Sequence, residues 1–186
     1  MNVLVISAHP DDETIGMGGT INKLSKQGHK VSFCIVTDGS GHKDGDKKRS
    51  LQRKNDCQKA GNILGISETI FLDYPDTKLD QISQIEINSA LETVIKKIKP
   101  AVVYIPPDND LHTDHSKMHD CALVACRPLT NKIKEIYAYE ILGYVKNQFQ
   151  PNVYVDIEKN LSKKIAAFKM FKTEQQDFPS HRSIKS

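Results

Sequence analysis

The sequence predicts an α/β fold, a Rossmann-like three-layer sandwich around a mostly parallel central sheet. Two observations carry that prediction. Short apolar runs rich in β-branched residues alternate along the chain with longer segments of helical spacing. The runs are also hydrophobic almost without interruption, as strands covered on both faces by helices are, whereas strands with one wet face alternate apolar and polar residues.

Taken in order, residues 2–7 form the first strand-length run and residues 15–27 the first helix. Residues 31–36 and 50–64 repeat the pair. So do residues 69–72 and 81–98, where Ile82, Ile85, Leu91, Val94, Ile95 and Ile98 lay an apolar stripe along the helix. A fourth run at 101–105 leads into a helix from about 115 to 126. Two further strands are expected at 135–142 and 153–157, then a helix over 161–176. The long irregular stretch 38–48 holds Gly39, Gly41 and Gly45 and is expected to form a mobile rim of the site.

Size and composition bound the function. At 186 residues the chain suits one domain, expected over 1–176 with a polar tail at 177–186, because one core organises roughly 100–200 residues. With 38% hydrophobic and 26% charged residues it holds enough apolar material for that core. The formal net charge of +3 comes from lysines spread through helical stretches, not from a basic stripe with interleaved aromatics. Nucleic acid is therefore not an expected partner. The start, Met1 to Ser7, is too short and too soon followed by charge for a secretory signal, and no apolar run approaches a membrane span. The protein is expected in the cytoplasm, acting on a small molecule, with a homo-oligomer left open. Cys34, Cys57, Cys121 and Cys126 form no Cys-x-x-Cys pair and read as free thiols, not metal ligands.

In an open α/β sheet, ligands bind beyond the carboxyl ends of the strands, where the strand order reverses. Here the first strand runs straight into Ala8-His-Pro-Asp-Asp-Glu13 and the fourth into Pro106-Pro-Asp-Asn-Asp-Leu-His-Thr-Asp-His115. In the usual winding these two strands are neighbours across the reversal, so both loops open into one crevice. Imidazole and carboxylate are ordinary zinc ligands, and a catalytic zinc keeps three protein ligands and one open position. His9, Asp12 and His115 supply that set. Pro10 stiffens the turn, and Asp11 and Asp12 can face different ways, one to the metal and the other to water. Gly16, Gly18 and Gly19 are wrongly spaced for a dinucleotide fingerprint.

Other polar residues have plainer readings. His119, four residues after His115, can extend a helical metal pair but reads first as a solvated position. His29, His42 and His181 sit in polar turn or tail contexts. Glu13 reads as a partner behind the ligands or as an early-helix acid favoured by the dipole. Asp73 and Asp76 suit a sugar hydroxyl and simple turn chemistry equally. Lys47-Lys-Arg49 reads as surface, with attraction for a nucleotide or lipid phosphate as the alternative.

Together, Ala8-His-Pro-Asp-Asp-Glu13, Gly18-Gly-Thr20, Thr37-Asp-Gly39, Phe71-Leu-Asp-Tyr-Pro-Asp76 and Asp110-x-His112-x-Asp-His115 resemble the LmbE/PIG-L zinc-dependent de-N-acetylases, over most of the chain. The resemblance implies one Zn2+ per chain, or another divalent metal, on His9, Asp12 and His115. It implies Asp11 as general base and a protonated His112 facing the developing oxyanion, which Asp114 would keep charged and oriented. Arg53, in an Arg-x-x-Asp-x-x-x-Ala pattern, would touch substrate. The implied reaction removes an N-acetyl group from an N-acetylglucosamine-type sugar, free or linked to a nucleotide, lipid or thiol precursor, with zinc-bound water as nucleophile. Either Asp11 or His112 would protonate the leaving amine.

The chain departs from the family pattern at Asp56, where a glutamate is common, and at Thr173-Glu174, where Ser-Gln is common. Family chains usually continue for some tens of residues where this one stops at Ser186, which implies a pocket wall that is open or supplied by a partner chain. Two other functions are compatible with the residues. One is a metal-dependent phosphoesterase, although two-metal sites normally need more carboxylates than these loops offer. The other is a non-catalytic sugar-binding or assembly module of the same fold.

Overall fold

The computed structural model of the chain describes residues 1–41, 46–128, 131–143 and 145–176. The readings placed on His42, Gly45, His181 and the tail 177–186 fall outside the described residues. Five strands form one sheet: β1 (Asn2–Ser7), β2 (Lys30–Thr37), β3 (Glu68–Tyr74), β4 (Val102–Ile105) and β5 (Glu135–Ala138). Their order is β3-β2-β1-β4-β5, and every pairing is parallel. The order runs outward from β1 in one direction to β3 and in the other to β5, so the reversal lies between β1 and β4.

The unbroken apolar strands are explained by what covers them. Leu4, Ile6, Val103 and Ile105 pack on one side against α3 (Gln84–Ile98) and α4 (Thr113–Ala125). Val3, Val5, Phe33 and Ile35 pack on the other against α1 (Asp12–Lys26), α2 (Lys47–Leu64) and α5 (Leu161–Phe168). This is the Rossmann-like three-layer sandwich that the sequence predicts. All four cysteines are buried and free, and burial pushes Cys34 and Cys126 up to about 12, which leaves inert thiols. No helix among the described residues is long and apolar enough to cross a membrane.

Four local expectations need correction. Residues 153–157 form no strand: Val153, Tyr154 and Val155 are exposed and have no ladder partners among the described residues, so burial does not hold them to a sheet edge. The strand expected over 135–142 stops at Ala138, after which Tyr139 and Ile141 turn into the core. The third helix begins at Gln84, after an extended Ser83 and a short 3-10 turn at Leu79–Gln81, and its Ile85 faces solvent. The last helix ends at Phe168, and tight turns then carry Phe171 and Glu174 inward.

Helix α1 lies unusually close to the segments that follow β5. A Cβ on Gly16 would stand 2.6 Å from both the Glu140 carbonyl oxygen and the Tyr139 ring, and one on Gly19 would meet Ile157. Gly61 on α2 differs, since a Cβ there would meet Ile66 at an ordinary 3.5 Å. Gly16→Ala should therefore destabilise by about 1–3 kcal/mol through overpacking against backbone. Gly61→Ala should stabilise by about 0.5–1 kcal/mol by removing chain freedom from the unfolded state. Urea unfolding of the two variants measures this, and a Gly16→Ala protein as stable as wild type would contradict the close approach.

Candidate active site

Because β1 and β4 pair in parallel, with Val3 opposite Val102 and Val5 opposite Tyr104, they leave the sheet together and their loops meet. The loop after β1 is pinned to its neighbour: Thr37 donates to the Ala8 carbonyl from its backbone N–H at 2.9 Å and its hydroxyl at 2.8 Å. Asp12 opens α1 and curls back so that its Oδ2 accepts the His9 N–H at 2.8 Å. From the other loop His112 caps α4 and His115 occupies its first turn. Nδ1 of His9 and Nε2 of His115 face one another at 3.1 Å, and Oδ2 of Asp12 lies 3.4 Å from the first and 3.2 Å from the second.

Each of these imidazoles is aimed by carboxylates on its far side. Nε2 of His9 lies 3.1 Å from both Asp76 Oδ1 and Asp114 Oδ2. Nδ1 of His115 lies 2.7 Å from Asp110 Oδ2, while Asp110 Oδ1 accepts the His112 N–H at 2.8 Å. The braces are themselves anchored, Asp114 by the N–H groups of Thr77 and Leu79 and Asp76 by that of Gly41. Burial pulls His9 down, but Asp114, Asp12 and Asp76 outweigh it and hold the ring well above its ordinary value. His115 is likewise lowered by burial but raised to about 9 by Asp12 and Asp110. Burial pushes Asp12 up, yet the two histidines hold its carboxyl well below the usual range.

Asp11 sits between these groups and α2. It caps α1 with φ 149°, a conformation uncommon outside glycine. Glu13 stabilises that turn by accepting the Asp11 N–H at 3.2 Å, which favours the reading of Glu13 as a partner behind the ligands. Burial first, then Asp11, raises the Glu13 carboxyl to about 8. The Asp11 carboxylate is held by Arg53, whose Nη2 donates to Asp11 Oδ1 and to the Pro10 carbonyl, each at 3.1 Å.

Several expected roles shift on this geometry. Arg53 and Asp76, expected at the substrate, are both buried and turned to protein atoms: Arg53 to Pro10, Asp11 and Gly39, and Asp76 to His9, Gly41 and Arg53. Asp114, expected to orient His112 with its carboxylate, directs that carboxylate to Thr77, Leu79 and His9. Its contact with His112 runs through the backbone, where its N–H donates to His112 Nδ1 at 3.3 Å. Burial, with His9 and His115 beside it, holds His112 below its ordinary value. Its neutral ring, with Nδ1 accepting, carries its proton on Nε2.

His119 is half-buried and bonds the Pro106 carbonyl at 2.8 Å. Arg49, expected on the surface, forms an ion pair with the buried Glu174 at 3.0 Å. Asp110, Tyr139 and Glu174 belong to this region although the sequence assigned none of them a role in it. Asp110 lay inside the second motif, and Tyr139, whose hydroxyl donates to the Ile6 carbonyl at 3.1 Å, carries no motif at all. A separate cavity of about 500 Å³ opens at the far end of the sheet, beside Ile95, Lys99, Ala101 and Lys134, and no expected site residue lines it.

The donor set fits a small divalent cation. Bonds of about 2.0–2.1 Å to N and O in a tetrahedral site place neighbouring ligands about 3.3 Å apart. The separations between His9 Nδ1, Asp12 Oδ2 and His115 Nε2 are 3.1, 3.2 and 3.4 Å. The other carboxylate oxygen of Asp12 is buried and has no hydrogen-bond partner among the described residues, as expected where a cation balances the group. Ligand atoms of His9, His112 and His115 also lie within 4.8 Å of one another, as do those of His9, Asp76 and Asp114. In the second group the carboxylates are engaged by backbone N–H groups, and Asp12 is closer to the two nitrogens than that wider limit.

Comparison with known proteins bears on this geometry. Residues 4–126 match the family model described as PIG-L, GlcNAc-PI de-N-acetylase. An uncharacterised deacetylase of Escherichia coli (strain K12), YaiS, is 31% identical over 92% of this chain and 90% of its own. The diacetylchitobiose deacetylase of Thermococcus kodakarensis is 31% identical over 95% of this chain and 70% of its own. Among solved structures, N,N'-diacetylchitobiose deacetylase from Pyrococcus horikoshii superposes with a TM-score of 0.80 at 26% identity, covering 95% of this chain and 71% of the other.

Two measurements follow from the braces. A cation needs the neutral His115 ring, which in the metal-free protein keeps its proton up to about pH 9. Uptake below that pH therefore displaces a proton, and affinity should rise about tenfold per pH unit for each proton displaced. Calorimetric zinc titrations at neutral pH in buffers of different ionisation enthalpy should show proton release, and heats independent of buffer would contradict the assignment. Asp110→Asn, which loosens His115, should weaken zinc affinity by about 10–100-fold against a competing chelator, whereas unchanged affinity would show that the brace is idle.

Proposed function

This chain belongs to the PIG-L family, and from that premise we propose that it is a zinc-dependent N-deacetylase acting on an N-acetylglucosamine-type sugar or conjugate. The observation that carries the reading is the approach of His9 Nδ1, Asp12 Oδ2 and His115 Nε2 to within 3.4 Å of one another, from loops more than a hundred residues apart. Relatives whose names describe deacetylases of N-acetylated sugars support the substrate class.

His9, Asp12 and His115 would hold one cation, which when bound polarises a substrate carbonyl and acidifies a water. Asp11, fixed by Arg53 through Oδ1, takes the proton of the attacking water. His112, neutral and with its proton on Nε2, donates to the oxygen that gains charge as the carbonyl becomes tetrahedral. One such donor is worth about 3–4 kcal/mol. The proton taken up by Asp11 then passes to the departing nitrogen, which leaves as an amine while acetate stays behind. His112 is the weaker candidate for that last step, because burial and the nearby His9 and His115 disfavour its charged form more than Asp114 and Asp12 favour it.

A two-metal phosphoesterase is less well supported, since Asp76 and Asp114 are already engaged by backbone N–H groups and His9. We take residues 1–176 as one catalytic domain and the cytoplasm as its compartment, a reading that the four free buried cysteines favour. The activity test is acetate release from a panel of N-acetylated sugars by zinc-loaded protein. Release above the metal-stripped control supports the proposal, and none from any substrate overturns it in favour of a binding module. Asp11→Ala should lower turnover by about 10²–10⁴ while zinc content stays near one per chain. Loss of zinc in that variant would make Asp11 a ligand instead.

A further inference from the structure

The turns after α5 bring one more carboxylate to the site. Phe171 anchors them in the core, and Glu174, only 8% exposed, points back toward α2. Its Oε1 accepts from Arg49 Nη2 and from the Thr173 hydroxyl, each at 3.0 Å, and stands 3.7 Å from Nε of Arg53. That Nε is buried and has no hydrogen-bond partner among the described residues. The terminal nitrogens of the same guanidinium are engaged elsewhere: Nη2 donates to Asp11 Oδ1 and the Pro10 carbonyl, and Nη1 donates to the Gly39 carbonyl and lies 3.5 Å from Asp76 Oδ2.

A guanidinium is a planar fork, so fixing one edge of it leaves the plane free to pivot about that edge. Asp11 is held by the Nη2 end, and any pivot moves the carboxylate it holds. A buried carboxylate is retained at a cost unless it is paired. Glu174 meets that condition by lying between two arginines, hydrogen-bonded to Arg49 at 3.0 Å and at an ion-pair distance of 3.7 Å from the Nε of Arg53.

We propose that Glu174 is a positioning residue for the deacetylation, acting through Arg53 to fix the Asp11 carboxylate. The inference rests on the reading of Asp11 as the base of a deacetylase. The competing explanation is a staple: Glu174 binds Arg49 and merely fastens the C-terminal turns to α2.

The test compares Glu174→Gln, Arg49→Met and Arg53→Lys, the last keeping the buried charge while removing the Nε edge. Solvent exchange of the Arg53 Nε–H, read from its nitrogen-15 correlation, should be slow in wild type and Arg49→Met and at least about tenfold faster in Glu174→Gln. With an N-acetylated sugar, Glu174→Gln should lower kcat about 5–50-fold with KM within about twofold and zinc content unchanged, the scale expected of a sub-ångström misplacement. Arg49→Met should lower Tm yet leave kcat near wild type. In an Arg53→Lys background Glu174→Gln should cost nothing further.

Unchanged Nε–H exchange in Glu174→Gln overturns the proposal. So does a kcat loss that persists undiminished beside Arg53→Lys, or an equal loss in Arg49→Met. Should wild type release no acetate from any sugar, the deacetylase reading fails, and the exchange measurement alone still decides whether Glu174 holds Arg53.

Discussion

Strands β1 and β4 lie side by side in parallel and end within one residue of each other, at Ser7 and Ile105. That pairing is what the site depends on. It delivers His9 and Asp12 from one loop and His115 from the other into one crevice, though they are far apart in sequence. The apolar faces of both strands, sealed by helices on either side, keep the two ends from sliding, because a shift of one residue would exchange the side chains packed into one helical layer for those packed into the other. Core packing and donor geometry are thus one constraint seen from two ends of the same strands.

Around that meeting point the structure separates the groups that would touch a cation from the groups that aim them. His9 is aimed by Asp76 and Asp114, His115 by Asp110, and the Asp11 carboxylate by Arg53. His9 and Asp11 are aimed by groups from other parts of the chain, whereas His115 is aimed by Asp110 from its own loop. The result is a buried, acid-rich cluster in which two imidazoles are biased toward holding protons. A divalent ion would relieve that bias by supplying the positive charge. The strained backbone of Asp11, braced by Glu13, belongs to the same pattern of local cost held in place by its surroundings.

Much of this was legible in the sequence because it rests on periodicity and on strand ends. The first four strands, four of the helices and the β1–β4 adjacency follow from apolar patterning and the usual winding of an open sheet. His9, Asp12 and His115 follow from their places at strand ends. What the sequence did not yield is direction. Nothing in the residue order says that Arg53 and Asp76 turn inward to protein atoms, or that the Asp114 carboxylate serves His9 while its backbone serves His112. Glu174 was visible only as a departure from the family pattern, since the turns that bring it inward carry neither glycine nor proline to mark them. The strand expected at 153–157 failed for a related reason: β-branched content marks what can pair, not where the chain is carried, and Val153, Tyr154 and Val155 stay exposed away from the sheet ladder.

The most direct test of the account is anomalous diffraction at the zinc edge from crystals of the zinc-loaded protein. The account predicts one strong peak per chain, bonded to His9 Nδ1, Asp12 and His115 Nε2, with Asp110 still on the far side of His115. No peak at this crevice, or a peak bound by other side chains with His9 and His115 turned away from each other, would contradict it.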